Sequence, residues 1–243
     1  MTLLSFSGLE KRFGGIRALD GVDGTVVEGE ILGLVGPNGS GKSTLINVLS
    51  GFFEPTAGSI SYEGTDITAS EAHTRFHAGI ARTYQIPRPL GEMTVLENAA
   101  IALIFGRAEM DPDHARHAAV EWLEFAGLAG YANDPISRLN LHQLKYLELA
   151  RALASSPKIL FLDEVLAGLN PTEIEESIGM IRRIHDRGVT LVIVEHVIRV
   201  VTALSTRIMV LDQGKKIADG GPGEVMKDPA VVKAYLGSRY EDA

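Results

Sequence analysis

Cysteine is absent from the 243 residues, so neither a disulfide framework nor a thiolate metal site can form. That absence suits a reducing cytosol. Long apolar runs are missing too: none approaches the roughly 20 residues that a membrane-spanning helix requires. The opening MTLLSFSGLEKRFGG has no basic segment followed by an apolar stretch, so no secretory leader is expected. There is no low-complexity tract, no block of like charge and no internal repeat. Basic residues are outnumbered 23 to 31, leaving a net charge of −8. A generic nucleic-acid binder carries a basic face, so no nucleic-acid partner is expected. Any association with a membrane is expected through a protein partner. What is present, 45% hydrophobic and 22% charged residues, supports one sizeable core, or a core with a smaller lobe.

EILGLV, KILFLD and VTLVIV are short apolar runs that read as strands covered on both faces. Helical stretches lie between them. Asn170 is placed to N-cap one, with Pro171 in its first position and Glu173 completing a capping box. Ile174, Ile178, Ile181 and Ile184 form its apolar face, and Gly188 ends it. Strand, helix, strand in this order predicts an α/β fold with a parallel core and right-handed crossovers. Residues 1–30 and about 58–68 read as short antiparallel strands with turns at Gly8, Gly14-Gly15, Gly24 and Gly64. Residues about 87–155 read as helical. IMVLDQGKKIADGG reads as a hairpin and DPAVVKAYLG as a terminal helix.

GLVGPNGSGKST follows the strand EILGLV and runs into the helix TLINVLSGF. It fits the phosphate-binding pattern G-x-x-x-x-G-K-[ST] at Gly36, Gly41, Lys42 and Ser43. Glycines let such a loop turn its amides inward around phosphate oxygens, and the helix N-terminus adds partial positive charge. Lys42 is expected to reach the β- and γ-phosphates, and Ser43 to ligate Mg²⁺. The loop residues Asn38, Gly39, Ser40 and Thr44 belong to the same expected nucleotide cradle.

The strand KILFLD ends in adjacent carboxylates, Asp163 and Glu164. Successive side chains of an extended segment point opposite ways, so the two are expected to do different work. A magnesium nucleotide needs a second protein anchor, an acid at the end of a neighbouring apolar strand, and Asp163 fits that place. Glu164 is then left to polarise an attacking water as a general base.

With these motifs in place, the chain resembles the ATP-binding cassette subunit of an ABC transporter over nearly its whole length. GPNGSGKST resembles the Walker A loop and ILFLDE the Walker B strand. ARTYQIPRPLGEMTVLEN resembles the Q-loop, AGLN the D-loop, VIVEHV the switch-histidine strand and KRFGG the adenine-stacking loop. FGGIRALDGV, HTRFHAGIARTYQIPRP and LDEVLAGLNPTE are similar to the LivG-like cassettes of branched-chain amino acid importers. The resemblance implies a P-loop NTPase parallel-sheet core with a small antiparallel β lobe, at about 1–86 and 156–243, and an inserted α-helical lobe at about 87–155. It implies that Phe13 stacks on adenine, that Gln85 senses Mg²⁺ and water, and that His196 contacts the γ-phosphate. The cofactors implied are ATP and Mg²⁺. The partners implied are a second cassette, two membrane permeases and, indirectly, a periplasmic solute-binding protein. Its place would be the cytoplasmic face of a bacterial inner membrane, held peripherally by the permeases.

The family's signature is commonly LSGGQ, and here the corresponding stretch is LNLHQ, residues 139–143. Leu139 and Gln143 match; Asn140, Leu141 and His142 do not. The resemblance places Asn140 and His142 against the γ-phosphate of ATP held by the other cassette. Two readings stand: a heterodimer whose second cassette carries a standard signature, or a working local variant in a homodimer. The rival functions are a non-transport ABC ATPase and a regulatory cassette that binds ATP with little turnover.

Overall fold

The computed structural model describes residues 1–236. Along the chain run β1 (Thr2–Phe13), β2 (Ile16–Val27), β3 (Ile31–Val35), α1 (Lys42–Leu49), β4 (Ala57–Tyr62), β5 (Thr65–Asp66), α2 (Ala72–Ala78) and β6 (Ile80–Arg82). Then come α3 (Val95–Ile104), α4 (Pro112–Phe125), α5 (Leu141–Ala154), β7 (Ile159–Asp163) and α6 (Pro171–Asp186). The chain ends in β8 (Thr190–Val194), α7 (Ile198–Leu204), β9 (Arg207–Asp212), β10 (Lys215–Gly220), α8 (Pro222–Val225) and α9 (Pro229–Leu236). Gly237, the last residue of the expected terminal helix, lies outside the described residues. The chain divides into two compact units, Met1–Ala72 with Thr190–Ala243, and His73–Val189.

The first unit holds two sets of strands. One is an antiparallel sheet in the order β2-β1-β4-β5. Its strands β1 and β2 are 12 residues each, longer than the short strands expected, and Gly8 and Gly24 lie within them. Gly24 is no turn: it pairs with Phe6, and a Cβ on it would stand 2.4 Å from the Phe6 ring. The aromatic ring occupies the place of the missing side chain. Gly8 sits where the β1–β2 register shifts, at a φ of 58° that glycine adopts without steric cost. The other set runs β10-β9-β3-β8, with β3 parallel to both β8 and β9, and β9–β10 the expected hairpin. All five residues of β3 and of β8 are buried, as continuous apolar runs of a parallel sheet should be. Val35, Val201, Ile208, Val210, Val225 and Val231 form a core beside them.

In the second unit β6 pairs parallel with β7. Helices α3, α4 and α5 close on a core that includes Val95, Ala99, Leu103, Ala119, Leu123 and Leu147. Helix α6 begins as expected: Asn170 Oδ1 accepts the Glu173 amide at 3.0 Å, and the Glu173 carboxylate accepts the Asn170 amide at 2.9 Å. Its buried face is carried by Ser177, Met180, Ile181 and Ile184, with Ile174 and Ile178 only partly covered. The short helix α2 has no counterpart among the elements expected from sequence. At seven residues it is too short for a 3.6-residue period to stand out.

Candidate functional site

The phosphate-loop motif lies in the first unit, between the buried end of β3 and α1. Gly36 has a φ of 151°, and a Cβ there would stand 2.0 Å from the Leu211 carbonyl oxygen. Gly41 has a φ of 106°, and its Cβ would meet the Ala18 carbonyl at 2.6 Å. Both glycines are therefore required twice, by conformation and by space. Lys42 is buried, and its ammonium donates back across the loop to the carbonyls of Gly36 (2.8 Å) and Pro37 (2.9 Å). The loop thus curls around a cation. Ser40 is buried beneath it, Asn38, Gly39 and Ser43 are exposed, and Thr44 is half-buried. Gly41 supplies no side-chain cap to α1, so no acceptor of its own competes for the first-turn amides. A cradle that a Cβ would fill, with a lysine in it, fits an anion of phosphate shape.

Phe13 stands at the end of β1, 42% exposed, so it is not a core residue. Its ring meets Phe53 edge-on at 5.2 Å, and the Lys11 ammonium lies 5.2 Å from its centroid. An exposed flat ring beside a cation can stack on a base. His196 is exposed and follows β8 by two residues, after the buried Glu195.

The carboxylates lie in the second unit. Asp163 ends β7, buried, with the Arg82 guanidinium 3.7 Å from its Oδ2 and its amide donating to Thr83 Oγ1 at 3.3 Å. Glu164, also buried, turns away from the strand at a φ of 50°. Its Oε2 accepts from Gln85 Nε2 at 2.5 Å. The adjacent acids therefore face different partners, Arg82 for one and Gln85 for the other. A carboxylate is a hard oxygen donor of the kind Mg²⁺ takes, and that ion keeps much of its shell for phosphate and water.

The LNLHQ stretch leads into α5. Asn140 caps that helix: its Oδ1 accepts the Gln143 backbone amide at 2.9 Å, and Gln143 Oε1 accepts the Asn140 backbone amide at 2.9 Å. The Asn140 oxygen is thus spent, and only its side-chain NH₂ remains to meet a phosphate. The His142 ring packs on Tyr146 with centroids 4.2 Å apart, and its Nδ1 stands 4.0 Å from a Glu173 oxygen.

Charged groups behind these residues escaped the sequence reading. Glu148 on α5 is buried and accepts the Tyr84 amide, next to Gln85. Burial pushes its carboxyl up to about 7, with the Tyr84 amide, Arg151, the Arg88 amide and Arg82 pulling the other way. Tyr84 is flanked by the guanidinium groups of Arg82 and Arg88, each 4.6 Å from its ring centroid. Lys145, also buried on α5, donates to carbonyls that follow Glu164. The available signal was charge inside an apolar helix, LKYLELARAL, with Lys145, Glu148 and Arg151 spaced three apart.

Residues 19–167 match the family model described as ABC transporter, and residues 215–241 match one described as branched-chain amino acid ATP-binding cassette transporter. The chain is 37% identical to the high-affinity branched-chain amino acid transport ATP-binding protein BraF of Pseudomonas aeruginosa, covering 97% of this chain and 98% of that one. It is 37% identical to the corresponding protein LivG of Escherichia coli, over the same shares. A solved ATP-binding cassette of an ABC transporter in its ADP conformation superposes with a TM-score of 0.86 at 35% identity, covering 98% of this chain and 99% of that chain. A dimeric cassette in a post-hydrolysis state, bound to ADP and Pi, gives 0.82 at 28% identity, over 90% and 99% of the two chains.

Proposed function

Since this chain belongs to the ABC transporter family, among the ATP-binding cassettes related to branched-chain amino acid importers, we propose that it drives uptake of branched-chain amino acids or similar small solutes. The chain is an ATP-binding transport subunit and an ATP hydrolase. The observation that carries the residue assignment is the Gly36–Gly41 cradle closed around the Lys42 ammonium.

In the first unit Lys42 holds the β- and γ-phosphate oxygens, and the loop amides from Asn38 to Thr44 surround them. Phe13 covers the adenine face, and His196 touches the γ-phosphate. In the second unit Glu164 accepts a proton from the attacking water as that water bonds to the γ-phosphorus. The bond from γ-phosphorus to the bridging oxygen breaks, releasing ADP and phosphate. Gln85 orients the Glu164 carboxylate through the hydrogen bond described above. Ser43, Asp163 and, through water, Gln85 would hold Mg²⁺, which neutralises the phosphate charge that builds up during transfer.

The partners are a second cassette and two membrane permeases, with a periplasmic binding protein delivering solute. The permeases would hold the chain at the cytoplasmic face of the membrane; the described residues contain no helix long and apolar enough to cross it. The helical lobe at about 87–155 would grip them. Asn140 presents its NH₂, and His142 its helix turn, to the partner cassette's ATP.

Two measurements test this. ATP turnover should fall at least 10²-fold in Glu164→Gln, the size expected for a general base; unchanged turnover removes Glu164 from that role. The same variant, on size exclusion with light scattering, should become a dimer with Mg-ATP if LNLHQ closes on phosphate. A monomer that binds ATP instead favours a heterodimer with a second kind of cassette.

A further inference from the structure

The segment after Glu164 folds around one cation. Lys145 on α5 is buried, and its ammonium donates to the carbonyls of Val165 at 3.0 Å and Ala167 at 2.5 Å, with the Glu164 carbonyl at 3.5 Å. An ammonium has three donors, and three acceptors converge on it. Carbonyl oxygens turned toward one point repel each other unless positive charge sits among them. Glu164 itself holds a left-handed φ of 50°, which costs a non-glycine residue energy and persists only where its surroundings enforce it.

Helix α5 also holds the other side of the Gln85–Glu164 hydrogen bond. Glu148 accepts the Tyr84 amide, and Arg151 donates to the Arg88 carbonyl at 2.8 Å. These two contacts bracket Gln85 in the chain. Lys145, Glu148 and Arg151 lie three residues apart, so they share a helix face. One helix therefore fixes the backbone on both sides of the bond between Gln85 and Glu164.

From this geometry we propose that Lys145 is a positioning residue for Glu164: its ammonium locks the turn from Glu164 to Ala167 so that the carboxylate stays aimed at Gln85 and the attacking water. The proposal rests on Glu164 being the general base. Displacing such a base by about 1 Å costs on the order of 10²-fold in rate, with little effect on substrate binding.

The test uses the full chain with Mg-ATP. Lys145→Met should lower kcat by roughly 30- to 100-fold while ATP affinity stays within about threefold. Lys145→Arg, which keeps the charge, should recover part of the loss. In a Glu164→Gln background, Lys145→Met should cost less than about twofold more, because the group it positions is already gone. Amide hydrogen exchange should quicken over residues 164–169 and stay unchanged elsewhere. A kcat within about threefold of the parent overturns the proposal, as does an equal fall in kcat and ATP affinity with exchange quickened throughout. If Glu164→Gln alone keeps full turnover, the base assignment fails and Lys145 falls with it. If Glu164→Gln is inactive but Lys145→Met is not, only the positioning role fails.

Discussion

At the residue scale, Glu148 is an acid kept from water, and the guanidinium groups of Arg151 and Arg82 with the amides of Tyr84 and Arg88 only partly compensate its burial. Its folded-state pKa, about 7, lies above the ordinary 4.5. The folded chain therefore binds this proton more tightly than the unfolded chain does. The linked stability is fully present below pH about 4.5 and is lost as pH rises through about 7. The loss amounts to at most about 3 kcal/mol. Glu148→Gln should flatten that part of the profile and gain stability at pH 8, read from urea midpoints at pH 5, 6 and 8. An unchanged slope would mean that Glu148 stays charged throughout. Glycines of the phosphate loop separate in the same way. Gly41→Ala drives a Cβ against a backbone oxygen and should abolish measurable ATP binding, whereas Gly39, at a φ of 77° with open space around it, should tolerate alanine. There only the conformational cost of about 1–2 kcal/mol applies. Equal binding by the two variants would show that the loop opens to admit either.

At the element scale, the capping boxes of α5 and α6 differ in what they leave over. The α6 cap is fully internal, so Asn170→Ala should cost about 1 kcal/mol in thermal or urea unfolding and nothing further. The α5 cap carries LNLHQ. Asp caps a helix as well as Asn does, so Asn140→Asp should leave stability within about 0.5 kcal/mol. It also replaces the outward NH₂ donor by a negative charge. If Asn140 faces a phosphate, ATP-driven association of Glu164→Gln is lost in Asn140→Asp. Undiminished association would place Asn140 away from nucleotide. His142 is less suited to a direct contact, because its ring is largely covered and turned onto Tyr146. Its replacement of a small residue acts on α5 packing before it acts on phosphate.

At the scale of the whole molecule, the nucleotide couples to folding. A ligand bound only by the folded chain, at 100 times its dissociation constant, stabilises it by about 2.7 kcal/mol. For a chain of 243 residues that is a rise in Tm of roughly 5–10 °C. Mg-ATP should produce it in the parent chain, and Lys42→Ala should remove most of it. An undiminished rise in Lys42→Ala would detach nucleotide binding from the Gly36–Gly41 cradle. The net charge of −8 adds that phosphate must be held by a few placed donors, since the surface as a whole repels it.

Features that are local and contiguous could be read directly from the order of residues. The phosphate loop was readable because its glycines, lysine and serine act within eight residues, and its flanking strand and helix carry their own apolar patterns. The α6 cap was readable for the same reason, as were the three fully buried strands and the two adjacent acids that face different partners. Asn140 and His142 could be named as departures from a pattern, but whether each side chain turned in or out depended on Gln143, Tyr146 and Glu173. Gly8 and Gly24 misled, because a glycine that makes a bulge or accepts a neighbouring ring looks in sequence like one that makes a turn. Only the tertiary structure brought Lys145 to the turn after Glu164 and Glu148 to Tyr84, partners 19 to 64 residues apart. No periodicity reports such pairs. A buried charge is tolerated only where folding supplies its partners, and those partners exist only once the chain has closed on itself.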